Sequence, residues 1–143
     1  MRLLTQNDEN LILEAIHKAE LKTSGEVRVH LETRCEEKDC LDRAAWIFKE
    51  LGMEKTELRN GVLIYVAIKS KQFCIIGDAG INSVVPEGFW NSAALLMQEH
   101  FKAGHIALGI AAGIGQVGEL LKEKFPYQPN DVNELPDAIS FGK

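Results

Sequence analysis

Asn60, Asp78 and Asn82 are the side chains in this sequence whose types and spacing best suit holding an ion. Asp78 and Asn82 lie in Gly77-Asp78-Ala79-Gly80-Ile81-Asn82, a polar stretch spaced by glycines, and Asn60 leads the pair Asn60-Gly61. Carboxylate and amide oxygens are hard donors, and calcium takes about six to eight oxygens from side chains, backbone and water. Glycine lets backbone carbonyls come close to a ligand. These pieces flank two apolar segments, Val62 to Ile68 and Gln72 to Ile76, joined by the turn Lys69-Ser70-Lys71. If the segments pair as an antiparallel hairpin, Asn60 and Asp78 meet at its open end. Glu26 opens an alternating strand after Ser24-Gly25 and adds a carboxylate to that rim if its strand runs parallel to Val62–Ile68. The plainer alternatives are a simple turn at Asn60-Gly61, a loop cap at Asp78 and a solvated glutamate at Glu26.

Other chemistry-bearing residues form weaker patterns. Asp131, Asn133, Glu134 and Asp137 could donate oxygens to a second ion, or be a solvated loop; they lack the EF-hand loop pattern. His17, His30, His100 and His105 are scattered, with no pair spaced for a zinc hydrolase. Ser24, Ser83 and Ser92 lack the Gly-x-Ser-x-Gly elbow. Gly113-Ile114-Gly115-Gln116-Val117-Gly118 spells a dinucleotide fingerprint, but inside a helical pattern rather than after a strand. The catalytic residues are therefore unknown from sequence.

The elements that position these residues are legible from periodicity. Thr5-Gln6-Asn7-Asp8 starts a helix, with Leu11, Ile12, Ala15, Ile16 and Ala19 at helical spacing and a left-handed glycine cap expected at Gly25. Glu26 to Glu32 alternates, with Val27, Val29 and Leu31 on one side and Glu26, Arg28, His30 and Glu32 on the other. That predicts a strand with one buried face, near a sheet edge. Cys40 to Leu51 reads as a helix with Leu41, Ala44, Ala45, Phe48 and Leu51 inward, ended by Gly52. Val62 to Ile68 is apolar on both faces, as a central strand covered on both sides would be. Pro86 is expected to open a helix at its first turn, through Trp90, Leu95, Met97 and Phe101. Ile106 to Lys124 forms the last helix. Its Gly109, Gly113, Gly115 and Gly118 each cost about 1 kcal/mol against alanine, which implies close packing. The order α-β-α-β-β-α-α predicts an α/β chain with a small mixed sheet between helical layers.

The 143 residues fit one domain, with 126–143 an acidic tail. Hydrophobic residues at 45% and charged residues at 26% are those of a globular chain, and a net charge of -5 speaks against a nucleic-acid partner. Met1-Arg2-Leu3-Leu4 leads straight into polar residues, no apolar run reaches membrane-spanning length, and Cys35, Cys40 and Cys74 are an odd number. The expectation is a cytoplasmic protein with reduced thiols and no membrane partner.

Four pieces in order carry a family resemblance: Thr23-Ser24-Gly25-Glu26-Val27-Arg28-Val29, Asn60-Gly61-Val62-Leu63-Ile64-Tyr65-Val66-Ala67, Gly77-Asp78-Ala79-Gly80-Ile81-Asn82, and Phe101-Lys102-Ala103-Gly104-His105 before the glycine-rich helix. Together they resemble the TPM domain, the family that includes thylakoid-lumen acid phosphatases and photosystem repair proteins, in its short, soluble bacterial branch. The resemblance implies a three-layer α/β/α sandwich and a divalent-metal site, commonly calcium, at one end of the sheet. It maps Glu26, Asn60, Asp78 and Asn82 onto that site. Arg59 stands where an aspartate usually precedes Asn-Gly. The function expected is a divalent-cation binding module with a structural or protein-partner role. The alternative is a metal-assisted acid phosphatase in which Asp78 is ligand or base and Arg28 or Arg59 forks a phosphate. An interaction domain without an ion is a third expectation.

Overall fold

Residues 4–127 and 139–142 are described by the computed structural model. Helix α1 (Gln6–Glu20) starts where Thr5 and Asp8 bond reciprocally: the Thr5 hydroxyl accepts from the Asp8 N–H and the Asp8 carboxylate from the Thr5 N–H. Strand β1 (Glu26–Glu32) follows, then α2 (Cys40–Glu50), a 3-10 turn (Met53–Lys55) and the hairpin β2 (Gly61–Ala67) and β3 (Gln72–Gly77). The short α3 (Ala79–Asn82), the long α4 (Phe89–Lys102) and α5 (Ile106–Lys124), and β4 (Ile139–Phe141) complete the order.

The sheet runs β3-β2-β1-β4, with β1 parallel to both β2 and β4 and β3 antiparallel to β2. It is sandwiched between two helical layers. On one face Ile12 and Ile16 of α1, Met97 of α4, and Ile110, Ile114 and Leu121 of α5 pack on Val27, Val29, Leu31, Val62 and Ile64. On the other, Ala44, Ile47 and Phe48 of α2, with Met53, pack on Leu63, Tyr65 and Ala67. Each fully buried aliphatic side chain contributes roughly 1.5–3 kcal/mol relative to exposure, so both layers fix the strand register. The expected α/β/α sandwich with a mixed sheet is what the chain forms.

Helix α5 tolerates its glycines because it is clasped from two sides. A Cβ at Gly113 would come within 2.5 Å of the Met97 sulfur on α4, and one at Gly118 within 3.0 Å of Ala19 on α1. Gly115 differs, with nothing within 4 Å of a Cβ placed there.

Several expectations need correction. β1 is buried on both faces, not one; β4 pairs along its outer edge, and Arg43 of α2 reaches Glu32 on its polar side. α1 ends at Leu21 in ordinary helical geometry, and Gly25 does not adopt a positive φ. Its small size instead admits Leu121 and the Asn60 carbonyl, at 3.0 and 3.3 Å from a Cβ built there. α4 begins at Phe89 behind a left-handed Gly88, so Pro86 lies in the preceding turn. On α2, Leu41 and Ala45 face solvent and Ile47 takes the inward place. The 126–143 segment is not all tail, since Ile139–Phe141 is a strand; Asp131, Asn133, Glu134 and Asp137 lie outside the described residues.

Candidate functional site

The hairpin register settles where the rim residues stand. Val62 pairs with Gly77, so β2 begins where β3 ends, and the Asp78 N–H donates to the Gly61 carbonyl at 3.0 Å. β1 starts level with β2: Glu26 pairs with Gly61, and the Glu26 N–H donates to the Asn60 carbonyl at 3.2 Å. Glu26, Asn60 and Asp78 thus share one edge of the sheet and are all buried. Gly80 closes the rim from outside. Its N–H donates to the Arg59 carbonyl at 2.9 Å, and a Cβ there would lie 2.1 Å from the Leu58 carbonyl oxygen, so only glycine fits.

Asn82 ends α3 on the exposed side, and its amide nitrogen donates to the Gly77 carbonyl at 2.8 Å. Asp78 is engaged twice. Its Oδ1 accepts from the Ala79 N–H at 2.7 Å, making it the N-cap of α3. Arg59 forks both oxygens, Nε to Oδ2 and Nη2 to Oδ1, each at 2.7 Å. Arg59 itself sits at φ 51, a left-handed backbone that non-glycine residues rarely adopt. Asn60 is the opposite case: it is 1% exposed, and neither its Oδ1 nor its Nδ2 has a hydrogen-bond partner among the described residues. Burying an unpartnered amide costs about 1–3 kcal/mol, so such a group marks either strain or an absent ligand.

These residues fit a hard cation in donor type. Asn60 offers an orphaned carbonyl oxygen, and Glu26 and Asp78 supply carboxylates. Among the described residues no three His, Cys, Asp or Glu side chains converge as a metal cluster, so any ion here draws on amides and backbone as well. Arg59 must turn away from Asp78 first. Its side chain is 49% exposed, which leaves it a path into solvent.

A second polar cluster, unforeseen in the sequence, lies at the other end of β1. Glu32 is 2% exposed and accepts from Arg43 in a fork, from the Tyr65 hydroxyl at 2.5 Å and from His30 Nε2 at 3.2 Å. Burial alone raises the Glu32 pKa, but the bonds from Arg43, Tyr65 and His30 outweigh it and hold the carboxyl below its ordinary value. His30 Nδ1 meets Ser140 Oγ at 2.7 Å. Burial drives the His30 pKa below 6.5 against the pull of Glu32. Alternation in β1 placed His30 and Glu32 on one face, but nothing local said that α2 and β4 would cover that face.

Three comparisons bear on ancestry. A family model described as the TPM domain matches residues 1–120. The NMR structure of the BA42 protein from the psychrophilic bacterium Bizionia argentinensis is 46% identical, covers 99% of this chain and 97% of that one, and superposes with a TM-score of 0.91. The N-terminal domain of cg2496 from Corynebacterium glutamicum shares the fold at 14% identity and a TM-score of 0.66, over 83% of this chain and 74% of that chain. No curated protein matches. Among the described residues, no helix is long and apolar enough to cross a membrane.

Proposed function

The chain belongs to the TPM domain family, and from that premise we propose that it is a cytoplasmic divalent-cation binding module. Calcium is the ion, and Glu26, Asn60, Asp78 and Asn82 are the side chains that hold it at the sheet rim. The observation that carries this reading is the Asn60 carboxamide, buried at the rim with both polar atoms unpartnered among the described residues. When bound, the cation supplies the positive charge and oxygen affinity that would satisfy the Oδ1 of this amide. The chain's own part is to keep three backbone segments in register around it: the start of β1, the start of β2 and the turn from β3 into α3. Arg59 is the resident counter-charge of Asp78 and must leave for an ion to enter, so affinity is modest. The role is structural: the ion ties α3 and the 56–61 segment to the sheet and presents that edge to a protein partner. The phosphatase alternative has less support, since Arg59, one of its phosphate forks, is engaged with Asp78.

Calorimetric titration of the full chain with calcium chloride tests this. One binding event is expected, weakened at least about tenfold in Asp78→Asn, because calcium affinity tracks ligand charge. No heat of binding at millimolar calcium in a folded sample removes the proposal. Turnover of an aryl phosphate that disappears in the same variant would promote the phosphatase instead.

A further inference from the structure

The closed end of the β2–β3 hairpin carries an apolar cleft that the rim reading leaves unused. β3 is the outermost strand of the sheet, and α4 and α5 lie on the face that bears Val66 and Phe73. α4 stops at Lys102, and Gly104, at φ 84, turns the chain toward α5 at Ile106. That corner roofs the turn end of the hairpin incompletely. Ile68, Phe73, Phe101 and Ile106 pack on the core yet stay half-buried. Together with the buried Val66 they line a cleft of about 590 Å³. Small-molecule sites commonly run about 300–1,000 Å³ and are lined mainly by apolar side chains.

The aromatic wall is set in advance. A Cβ at Gly109 would lie 2.5 Å from the Phe101 ring, so the ring sits in a hollow that only glycine leaves. Phe101 in turn meets Phe73 edge-on, with centroids 4.9 Å apart and planes at 90°. A wall held from two sides need not be ordered by its ligand, which saves part of the entropic cost of binding.

We infer that this cleft binds an unbranched medium-chain carboxylate, a fatty-acid anion with its alkyl chain among the apolar walls and its head at the mouth. Among the described residues, Lys71 and Lys102 are the charged side chains that line the cleft, and no carboxylate does, in a chain of net charge -5. Both lysines are exposed, and neither joins an ion pair among the described residues. The head that complements them is an anion. Lys71 holds φ 55 in the hairpin turn, where glycine or asparagine is the ordinary choice, so turn geometry alone does not ask for a lysine. Gln72 and Gln98 are the uncharged polar residues of the described lining. A nucleobase or a sugar needs more hydrogen-bonding partners than these, whereas an alkyl chain needs none. The described lining also lacks an arginine, whose planar fork matches phosphate. The cleft lies at the opposite end of β2 and β3 from Asn60 and Asp78, so it stands independently of the cation reading.

The full chain, kept in EDTA so that the rim plays no part, is titrated at pH 7.5 with sodium decanoate below micelle formation and followed by amide NMR. Shifts should cluster at Ile68, Lys71, Phe73, Phe101 and Ile106 and leave Glu26, Asn60 and Asp78 unmoved. Affinity should rise along butyrate, hexanoate, octanoate and decanoate, by up to about fourfold per added methylene if each is fully buried. The surface variant Lys71→Gln/Lys102→Gln, its fold checked by the same spectra, should bind decanoate about five- to tenfold more weakly. Its affinity for decanol should match that of the wild type. Vesicles of phosphatidylcholine with phosphatidylglycerol form the second arm. Sedimentation with them and no response to decanoate assigns the surface to a membrane headgroup and overturns the inference. So does the absence of shifts at millimolar decanoate, shifts confined to other residues, an affinity independent of chain length, or undiminished decanoate binding by the double variant.

Discussion

Replacing Asn60 by leucine tests the rim by separating its stability from its ligand. The Asn60 side chain is buried with an amide oxygen and an amide nitrogen both lacking partners among the described residues. Each such group costs about 1–3 kcal/mol, and exchange for an apolar group of similar shape is neutral or stabilising. Allowing for imperfect packing of the leucine, Asn60→Leu should stabilise the calcium-free protein by about 1–3 kcal/mol. For 143 residues the unfolding entropy is about 0.3 kcal/mol/K near 60 °C, so the gain appears as roughly 3–10 °C in Tm. Calcium at about a hundred times its Kd should stabilise the wild type by about 2.7 kcal/mol and the variant by almost nothing. Urea unfolding followed by tryptophan fluorescence, in EDTA and in calcium, gives all four numbers. If Asn60→Leu lowers stability in EDTA while the calcium increment survives, the amide is a structural group and the reasoning fails.

Arg59→Asp removes the counter-charge of Asp78 and adds a carboxylate, so calcium affinity measured by calorimetry should rise by an order of magnitude or more. Gly80→Ala should destabilise by more than about 2 kcal/mol in urea melts. The added methyl meets backbone oxygen at 2.1 Å, where no rotamer can relieve it. Gly115→Ala, with open space around it, should instead stabilise by about 1 kcal/mol through helix propensity. Acidification should act in two stages. The folded-state pKa of His30 lies below its ordinary 6.5, so its contribution is whole above 6.5 and is lost as pH falls through the folded value. Glu32, held below its ordinary 4.5, gives way in a lower window, as pH falls from 4.5 through its own folded value. Urea midpoints measured from pH 8 to 3 should show both declines, and His30→Phe should remove the first and shrink the second, since the His30 bond helps hold Glu32 low.

Local pattern made the hairpin, the central strand and the glycine-rich helix readable. Two apolar runs around Lys69-Ser70-Lys71 imply antiparallel pairing, and pairing alone brings residues 60 and 78 to one edge. Glu26 joined them because β1 runs parallel to β2. What stayed hidden depends on tertiary cover. β1 alternates polar and apolar residues like an edge strand, yet a strand of three residues near the end of the chain, Ile139–Phe141, pairs on its outer side. That pairing, with α2 packed above, converts His30 and Glu32 from apparent surface residues to a buried network. Arg59 was visible as a charge, but its fork onto Asp78 depends on a backbone at φ 51 that no local signal announces.

The most direct measurement is an amide NMR titration of the full chain with calcium chloride, with magnesium chloride as a parallel arm. Shifts should cluster at Glu26, at 59–61 and at 77–82, saturate together, and include the Asn60 side-chain amide protons. Saturating calcium that leaves those residues unmoved, or moves only residues remote from the rim, contradicts the account.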